Sequence, residues 1–304
     1  MRLNKGILYA AAAYIVWGMF PIYFKALQHV PAGQIVAHRV VWSFVFLIIL
    51  IAARRELSAL KSIIRPRLVL IYLLASAILT VNWLIYIWGV NAGFVIETSL
   101  GYYINPLVSV LLGVVFLGEK LRPAQWIPVC LAAVAVAYLA VDYGALPWIA
   151  LVLAVSFGLY GLMKKIAPLG SLQGLAMETG IMFLPALGYL LFAEFHATGA
   201  FGHTGVPTIV LLLLSGLVTA VPLLLFASGA RRVPLSMLGL LQYIAPTLQF
   251  LTGVFIYGES FTRARLVGFS MIWLALLIFS TEGFFNHRRR KILTSTELSS
   301  EAGS

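Results

Sequence analysis

Charge is what this sequence lacks most. Only 10% of its 304 residues are Asp, Glu, Lys or Arg, and Asp and Glu together number 10. A soluble domain of this length needs polar side chains over most of its surface, so this supply excludes a water-solvated globule. The few acidic residues form no cluster suited to a divalent cation. The single cysteine, Cys130, excludes a disulfide framework and a thiolate metal site. The one close histidine pair, His196 and His203, falls in a Gly-rich stretch read as having no carboxylate or thiol nearby, so no metal site is expected there. Signatures of chemistry are missing too. Gly113 to Gly118, followed by Glu119 and Lys120, has a superficial P-loop look, but no Ser or Thr follows Lys120. Neither an H-E-x-x-H nor a G-x-S-x-G occurs. The expectation is a protein that is no enzyme and holds no cofactor or metal.

Hydrophobicity is what the chain has instead: 62% of its residues are apolar and its mean hydropathy is +0.99. Apolar runs long enough to cross a hydrocarbon core about 30 Å thick recur along the whole length. They place spans at 6–26, 34–53, 68–90, 96–117, 123–141, 145–163, 172–194, 207–229, 233–257 and 263–284. The runs are continuous, not alternating, which favours helices over barrel strands, since a helix satisfies its backbone groups internally. The expected fold class is an all-α membrane protein of ten transmembrane helices. The first run follows Arg2 and Lys5 but closes on no small-residue cleavage pattern, and reads as a retained span. Residues 286–304 are polar and read as a cytoplasmic tail.

The net charge of +11 does not point to nucleic acid, because the basic residues are distributed by side of the membrane. With the N-terminus inside, Arg2, Lys5, Arg54, Arg55, Lys61, Arg65, Arg67, Lys120, Arg122, Lys164, Lys165, Arg231, Arg232 and Arg288 to Lys291 all fall on the inner side. Only Lys25, Arg39, Arg263 and Arg265 fall outside. That asymmetry is the positive-inside pattern, so both termini are expected in the cytoplasm.

Shifted by 140 residues, the chain matches itself. Tyr103-Ile104-Asn105-Pro106 meets Tyr243-Ile244-Ala245-Pro246, Gly113-Val114 meets Gly253-Val254, and Gly118-Glu119 meets Gly258-Glu259. Equivalent spans are five apart, an odd number, so the halves are expected to be inverted repeats, 1–142 and 143–285. Such repeats place a substrate site at the midplane and suit secondary transport by alternating access.

Polar residues within the spans supply the candidate site. Glu97, Gly101, Asn105, Ser109 and Gly113 recur every fourth residue and share a helix face, which Tyr102 borders. Gln242 and Gln249 occupy the repeat positions of Tyr102 and Ser109. Pro106 and Pro246 each free the carbonyl four residues earlier, at Tyr102 and Gln242. An ionisable side chain at the bilayer centre costs roughly 2.5–3.5 kcal/mol, which singles out Glu178, with Glu97 and Arg39 nearer span ends. Tyr14, Trp17, Asn82, Tyr86 and Tyr160 add an aromatic and amide lining suited to a small amphipathic solute. Each also has a structural reading: kinks and small-residue packing for Pro and Gly, interfacial anchoring for the aromatics.

Several motifs taken together resemble the RarD-type proteins of the EamA family, in the drug/metabolite transporter superfamily. They are Ala13-Tyr14 with Trp17-Gly18, His38-Arg39-Val40 with Trp42-Ser43, Asn82-Trp83-Leu84, Ser99 to Leu107, Glu178-Thr179, Val221 to Leu224 and Gln242-Tyr243-Ile244. The resemblance implies a multi-pass permease of the bacterial inner membrane, in a subfamily named for chloramphenicol sensitivity. On the matched motifs it makes Tyr14, Trp17, Arg39, Asn82, Tyr103, Asn105, Glu178, Gln242 and Tyr243 candidate cavity residues. The expected partners are a small-molecule solute, such as chloramphenicol or an amino-acid-like metabolite, membrane lipid, and protons as the coupling ion through Glu178. The rival readings are a membrane-embedded enzyme acting on a lipid-like substrate and a non-transporting sensor or scaffold.

Overall fold

Proline marks where these helices start and where they break. The computed structural model describes residues 4–56, 65–91, 94–143, 147–257, 263–264, 266–268, 270–279 and 281–282. Its helices are α1 (Lys5–Gly18), α2 (Phe20–Lys25), α3 (Ala32–Ala53), α4 (Pro66–Asn91), α5 (Val95–Leu117), α6 (Pro123–Tyr143), α7 (Trp148–Ile166), α8 (Ser171–Phe195), α9 (Val206–Ala230), α10 (Leu235–Leu241) and α11 (Ile244–Phe255). A shorter apolar helix, α12, covers Leu266–Phe279. Pro66 and Pro123 open their helices, and Pro31, Pro147 and Pro234 sit immediately before theirs, where a missing N–H costs nothing.

The described residues are helical with no strand, and nine of their apolar stretches are long enough to cross a membrane. The protein is all-α and multi-pass. The expected tenth span, 263–284, coincides with α12; the expected tail, 286–304, lies outside the described residues. Two of the nine stretches are not continuous helices. Lys5–Lys25 breaks at Met19, just before Pro21, and Leu235–Phe255 breaks at Gln242 and Tyr243, just before Pro246. Pro106, by contrast, lies inside the unbroken α5. Large apolar side chains cover the outside: Val141 is 81% exposed, Phe255 79% and Phe195 85%. In water such a surface would aggregate; against acyl chains it is the expected one.

The chain divides into two compact units. One contains Lys120–Leu146 and Phe261–Ser304, hence α6 and α12; within it Arg122 pairs with Glu282 at 2.7 Å. The other contains Met1–Glu119 and Pro147–Ser260. Its helices close a ring by pairwise packing, in the order α1, α9, α3, α8, α4, α7, α5, α10 and back to α1, with α11 also packing on α1. Helices from before residue 119 thus alternate around the ring with helices from after residue 147.

Close approach within the ring relies on small residues, as lipid supplies little hydrophobic drive for helix association. At Gly216 on α9 an added methyl would overlap the backbone of Trp42 on α3, where Ser43 Oγ also donates to the Gly216 carbonyl at 3.0 Å. At Gly239 on α10 a methyl would lie 2.7 Å from the Pro106 carbonyl oxygen. The glycine run considered as a phosphate loop has a different use. Gly118, at φ +64°, ends α5 in the left-handed conformation and turns Glu119 back. The Glu119 carboxylate then accepts the N–H groups of Leu235 at 2.6 Å and Ser236 at 2.9 Å, capping the first turn of α10.

Replacing Gly216 by Ala is expected to cost about 1–3 kcal/mol through overpacking. The same change at Gly188, where nothing lies within 4 Å of the new methyl, should be neutral or stabilise by up to about 1 kcal/mol. Denaturant titrations of the two variants in micelles check this contrast.

Candidate functional site

The interior of the ring is aromatic. Tyr14 and Trp17 on α1, Phe157 and Tyr160 on α7, and Phe226 on α9 form one cluster, with centroid separations of 5.5 Å for Trp17–Phe226 and Phe157–Phe226, and 5.6 Å for Tyr14–Trp17. Tyr160 stacks on Phe226 with the planes only 10° apart. Three of the expected cavity residues, Tyr14, Trp17 and Tyr160, therefore meet, and in this conformation they fill the core. Phe157 and Phe226, which complete the cluster, carry no polar atom and gave no sequence signal beyond apolarity. The Tyr14 hydroxyl donates to the Leu238 carbonyl at 3.1 Å and ties the cluster to α10.

Glu178 stands beside this cluster and is doubly held. Its Oε1 accepts from Lys164 Nζ at 2.6 Å and its Oε2 from Tyr160 at 3.1 Å, and both charged side chains are 3% exposed. Lys164, expected just past the end of its span, lies instead within α7 as the buried counter-ion of Glu178. Neighbouring basic residues also bond to backbone: Lys165 Nζ donates to the Val233 carbonyl at 2.6 Å, and Arg231 to the Ala167 and Leu169 carbonyls at 2.7 Å each. Each satisfies carbonyls left over at a helix end. A second correction concerns the histidine pair. Glu194, two residues before His196, reaches His203 Nε2 at 2.7 Å, so a carboxylate is nearby after all; no group of three or more metal-ligating side chains occurs among the described residues.

Arg39 on α3 is 7% exposed. Its Nε–H donates to Thr219 Oγ1 at 2.9 Å and its guanidinium lies 4.4 Å from the Trp83 ring centroid, with Phe24 at 5.3 Å. Among the described residues it has no carboxylate within ion-pair distance. It shares with Glu178 a cavity of about 20 Å³, room for one water, walled by Ser43, Ser76, Thr80 and Thr179 among others. A wider opening of about 320 Å³ is lined from the same helices, α3, α8 and α9, and from the residues just after α3, by Arg54, Glu56, Gln173 and Ser228 among others. None of those four was a candidate site residue from the sequence, where Arg54 served only as a basic residue of the inner side and the others read as ordinary polar residues at span ends.

The remaining candidates separate into a second cavity and a set of helix ties. Asn82, Tyr102 and Asn105 line a gap of about 10 Å³ with Thr98, Gly101, Leu153 and Phe157. Asn82 Nδ2 donates to the Leu153 carbonyl and to Ser156 Oγ, each at 2.9 Å, which fixes α4 to α7. Asn105 is 3% exposed and its Oδ1 accepts no hydrogen bond from the described residues. The Tyr86 and Tyr102 rings meet edge to face at 5.6 Å. The Tyr243 hydroxyl donates to the Tyr103 carbonyl at 3.1 Å.

Gln249 Nε2 donates at 3.2 Å to the carbonyl of Trp17, the one that Pro21 leaves without its helical partner. The freed carbonyl of Gln242 instead accepts from the Ala245 N–H at 3.1 Å, while the Gln242 side chain is 5% exposed. Glu97 falls on α5, but its side chain lies outside the described residues, and so does any pairing with Arg39.

A ring of apolar helices with ionised and amide side chains at its centre defines a polytopic membrane protein of the transporter type. The EamA-like transporter family model matches residues 4–141. A Bacillus subtilis (strain 168) protein described as the uncharacterized transporter YojE is 50% identical, over 91% of this chain and 94% of its own length. The Protein RarD of Streptomyces exfoliatus is 46% identical, over 95% of this chain and 92% of its own. A crystal structure at 21% identity superimposes with a TM-score of 0.70, covering 91% of this chain and 98% of the other, a likeness of fold alone. The chain belongs to the EamA family as a RarD-type member, and is a bacterial membrane transporter of the drug/metabolite class.

Removing either partner of the Lys164–Glu178 pair, by Lys164→Met or Glu178→Leu, is expected to cost about 3–5 kcal/mol, as each leaves a buried charge uncompensated. The double variant should recover most of that, short of roughly 1 kcal/mol for the stranded Tyr160 hydroxyl. A double-mutant cycle of unfolding free energies in micelles measures the coupling.

Proposed function

We propose that the protein is a secondary transporter of the bacterial inner membrane, both termini cytoplasmic, that moves a small amphipathic solute by alternating access and is not an enzyme. The observation that carries this reading is the cost of the ring's interior. Arg39, Lys164 and Glu178 are all buried among apolar helices, a placement that a mere scaffold has no reason to maintain.

The rocking units of this mechanism are the repeats 1–142 and 143–285. Their support lies in the alternation of helices around the ring and in the Tyr243–Tyr103 hydrogen bond, whose residues are 140 apart, the same separation at which the sequence matches itself. The solute passes between the opening beside Arg54 and Glu56 and the small cavity beside Arg39. Leu175 and Leu223, both buried, wall the small cavity. The solute-facing set comprises Tyr14, Trp17, Arg39, Asn82, Tyr86, Glu97, Tyr102, Tyr103, Asn105, Tyr160, Glu178, Gln242, Tyr243 and Gln249.

A proton is the coupling ion in this reading, and Glu178 receives it. Protonating the carboxylate cancels its attraction for Lys164 Nζ at 2.6 Å and strands a buried ammonium. The bundle then gains by repacking so that Lys164 reaches water. A protonation event is thereby converted into helix movement.

In proteoliposomes, saturable flux of chloramphenicol or of labelled amino acids is expected, with accumulation that follows an imposed pH gradient. Glu178→Gln should abolish the dependence on the gradient, a loss of about tenfold or more in accumulation, equivalent to roughly 1.4 kcal/mol. Unchanged gradient dependence in that variant would remove the proton role. In a Cys130→Ser background, Asn105→Cys and Gln249→Cys should each be labelled by water-soluble reagents during turnover; protection of both from both sides would favour a closed scaffold.

A further inference from the structure

Hydrogen-bonding capacity around Arg39 is lopsided. The hydroxyls that wall its cavity have all spent their protons on backbone: Ser43 on Gly216, Ser76 on Leu73, Thr80 on Ser76 and Thr179 on Leu175. Thr219 accepts from Arg39 itself. Both oxygens of Glu178, at the cavity's other side, are taken by Lys164 and Tyr160. The guanidinium has five N–H donors, and the described residues occupy only the one at Nε. Most of the unspent donor capacity of the cavity among the described residues therefore lies in one planar fork, while the hydroxyls keep lone pairs that can still accept.

Charge points the same way. Among the described residues the buried ionised groups of this site are Arg39, Lys164 and Glu178; the last two cancel, and Arg39 is left over. A cation 7% exposed that no described carboxylate compensates is costly in a low-dielectric interior unless something completes it.

We propose that Arg39 is the anchor for a carboxylate, and that the transported solute is a small organic molecule that carries one, as an amino acid does and chloramphenicol does not. The two terminal nitrogens of the guanidinium would meet the two carboxylate oxygens as a bidentate pair, a geometry that an ammonium cannot offer. The organic remainder is required by the surroundings: Trp83, Leu79, Leu175, Met182 and Leu223 line the same cavity and give an inorganic anion nothing to contact. At about 20 Å³ the gap holds a water in this conformation, so the lining, not the volume, identifies the ligand. The inference rests on the transporter reading for the solute's movement but not for its binding, and the two are separable.

The test uses the full-length protein and three probes of one shape: 3-phenylpropanoate, 3-phenylpropanamide and 3-phenylpropylamine, at millimolar concentration with sodium chloride as control. Two readouts are taken, the rise in thermal unfolding midpoint in micelles and the flux into proteoliposomes above protein-free vesicles. The carboxylate is expected to stabilise the protein at least tenfold more strongly, by apparent Kd, than the amide or amine, and to be the probe that is moved. Arg39→Gln should remove the carboxylate response while leaving the ligand-free midpoint equal to or above that of the unaltered protein, since an uncompensated buried charge is lost. Arg39→Lys should bind at intermediate strength.

Carboxylate binding without flux supports the anchor and counts against transport of that solute. Equal responses to the three probes, no response to the carboxylate, stabilisation by chloride alone, or a carboxylate response unchanged in Arg39→Gln would each overturn the proposal. A large fall in the ligand-free midpoint of both Arg39 variants would do the same, because it would make Arg39 a structural tie to Thr219 and Trp83. Flux of the amide or amine alone would overturn it and leave the transporter standing.

Discussion

Glu178 is tolerated inside an apolar bundle because nothing about its charge is left over. Lys164 Nζ at 2.6 Å supplies the opposite charge, and Tyr160 takes the second oxygen. Much of the ring's interior depends on that triad. It joins α7 to α8 through ion and hydrogen bonds that hydrocarbon does not compete for, and it fixes the height of Tyr160. Tyr160 in turn stacks on Phe226, against which Tyr14, Trp17 and Phe157 are packed. The aromatic core of one unit is thus registered by a single carboxylate.

Freed backbone carbonyls show the same constraint from the other side. In lipid a carbonyl without a donor costs several kcal/mol, so a helix can break only where a partner is waiting. Pro21 strips the Trp17 carbonyl of its usual N–H, and Gln249 arrives from α11 to replace it. Pro246 does the same to Gln242, and the Ala245 N–H closes the turn. The two interrupted spans are adjacent, α1 against α10 and α11. Breaks of this kind, with the backbone satisfied but no longer regular, are where a bundle can change shape at modest cost. The short α10, the first piece of the second interrupted span, is held at its start by the Glu119 carboxylate and pressed through Gly239 onto Pro106.

Arg39 and the Lys164–Glu178 pair stand in instructive contrast. Both are buried, and both meet the side of one cavity. One is neutralised by its neighbours within the described residues; the other is steadied by a hydroxyl and by aromatic faces, which soften a charge without cancelling it. A group held in place yet left with open donors is a binding element more than a fastening.

The sequence by itself determined the class. Span length and apolarity are properties of consecutive residues, so the membrane helices, the all-α architecture and most helix limits follow from reading along the chain. Proline positions were legible as places where a carbonyl loses its donor, but not as breaks: Pro246 interrupts its span, Pro106 does not, and the break before Pro21 had no sequence signal that set it apart. Glu178 and Arg39 were legible as unusual, since a charge in a span is costly wherever it faces. What each does was decided only by the tertiary structure. Lys164 sits near the end of α7 and in sequence is indistinguishable from Lys165; only the closing of the ring turns one inward to a carboxylate on α8 and the other to backbone carbonyls. Phe157 and Phe226 look like any apolar residues until the ring closes on them. Pairing between helices depends on which faces meet, and no distance along the chain encodes that.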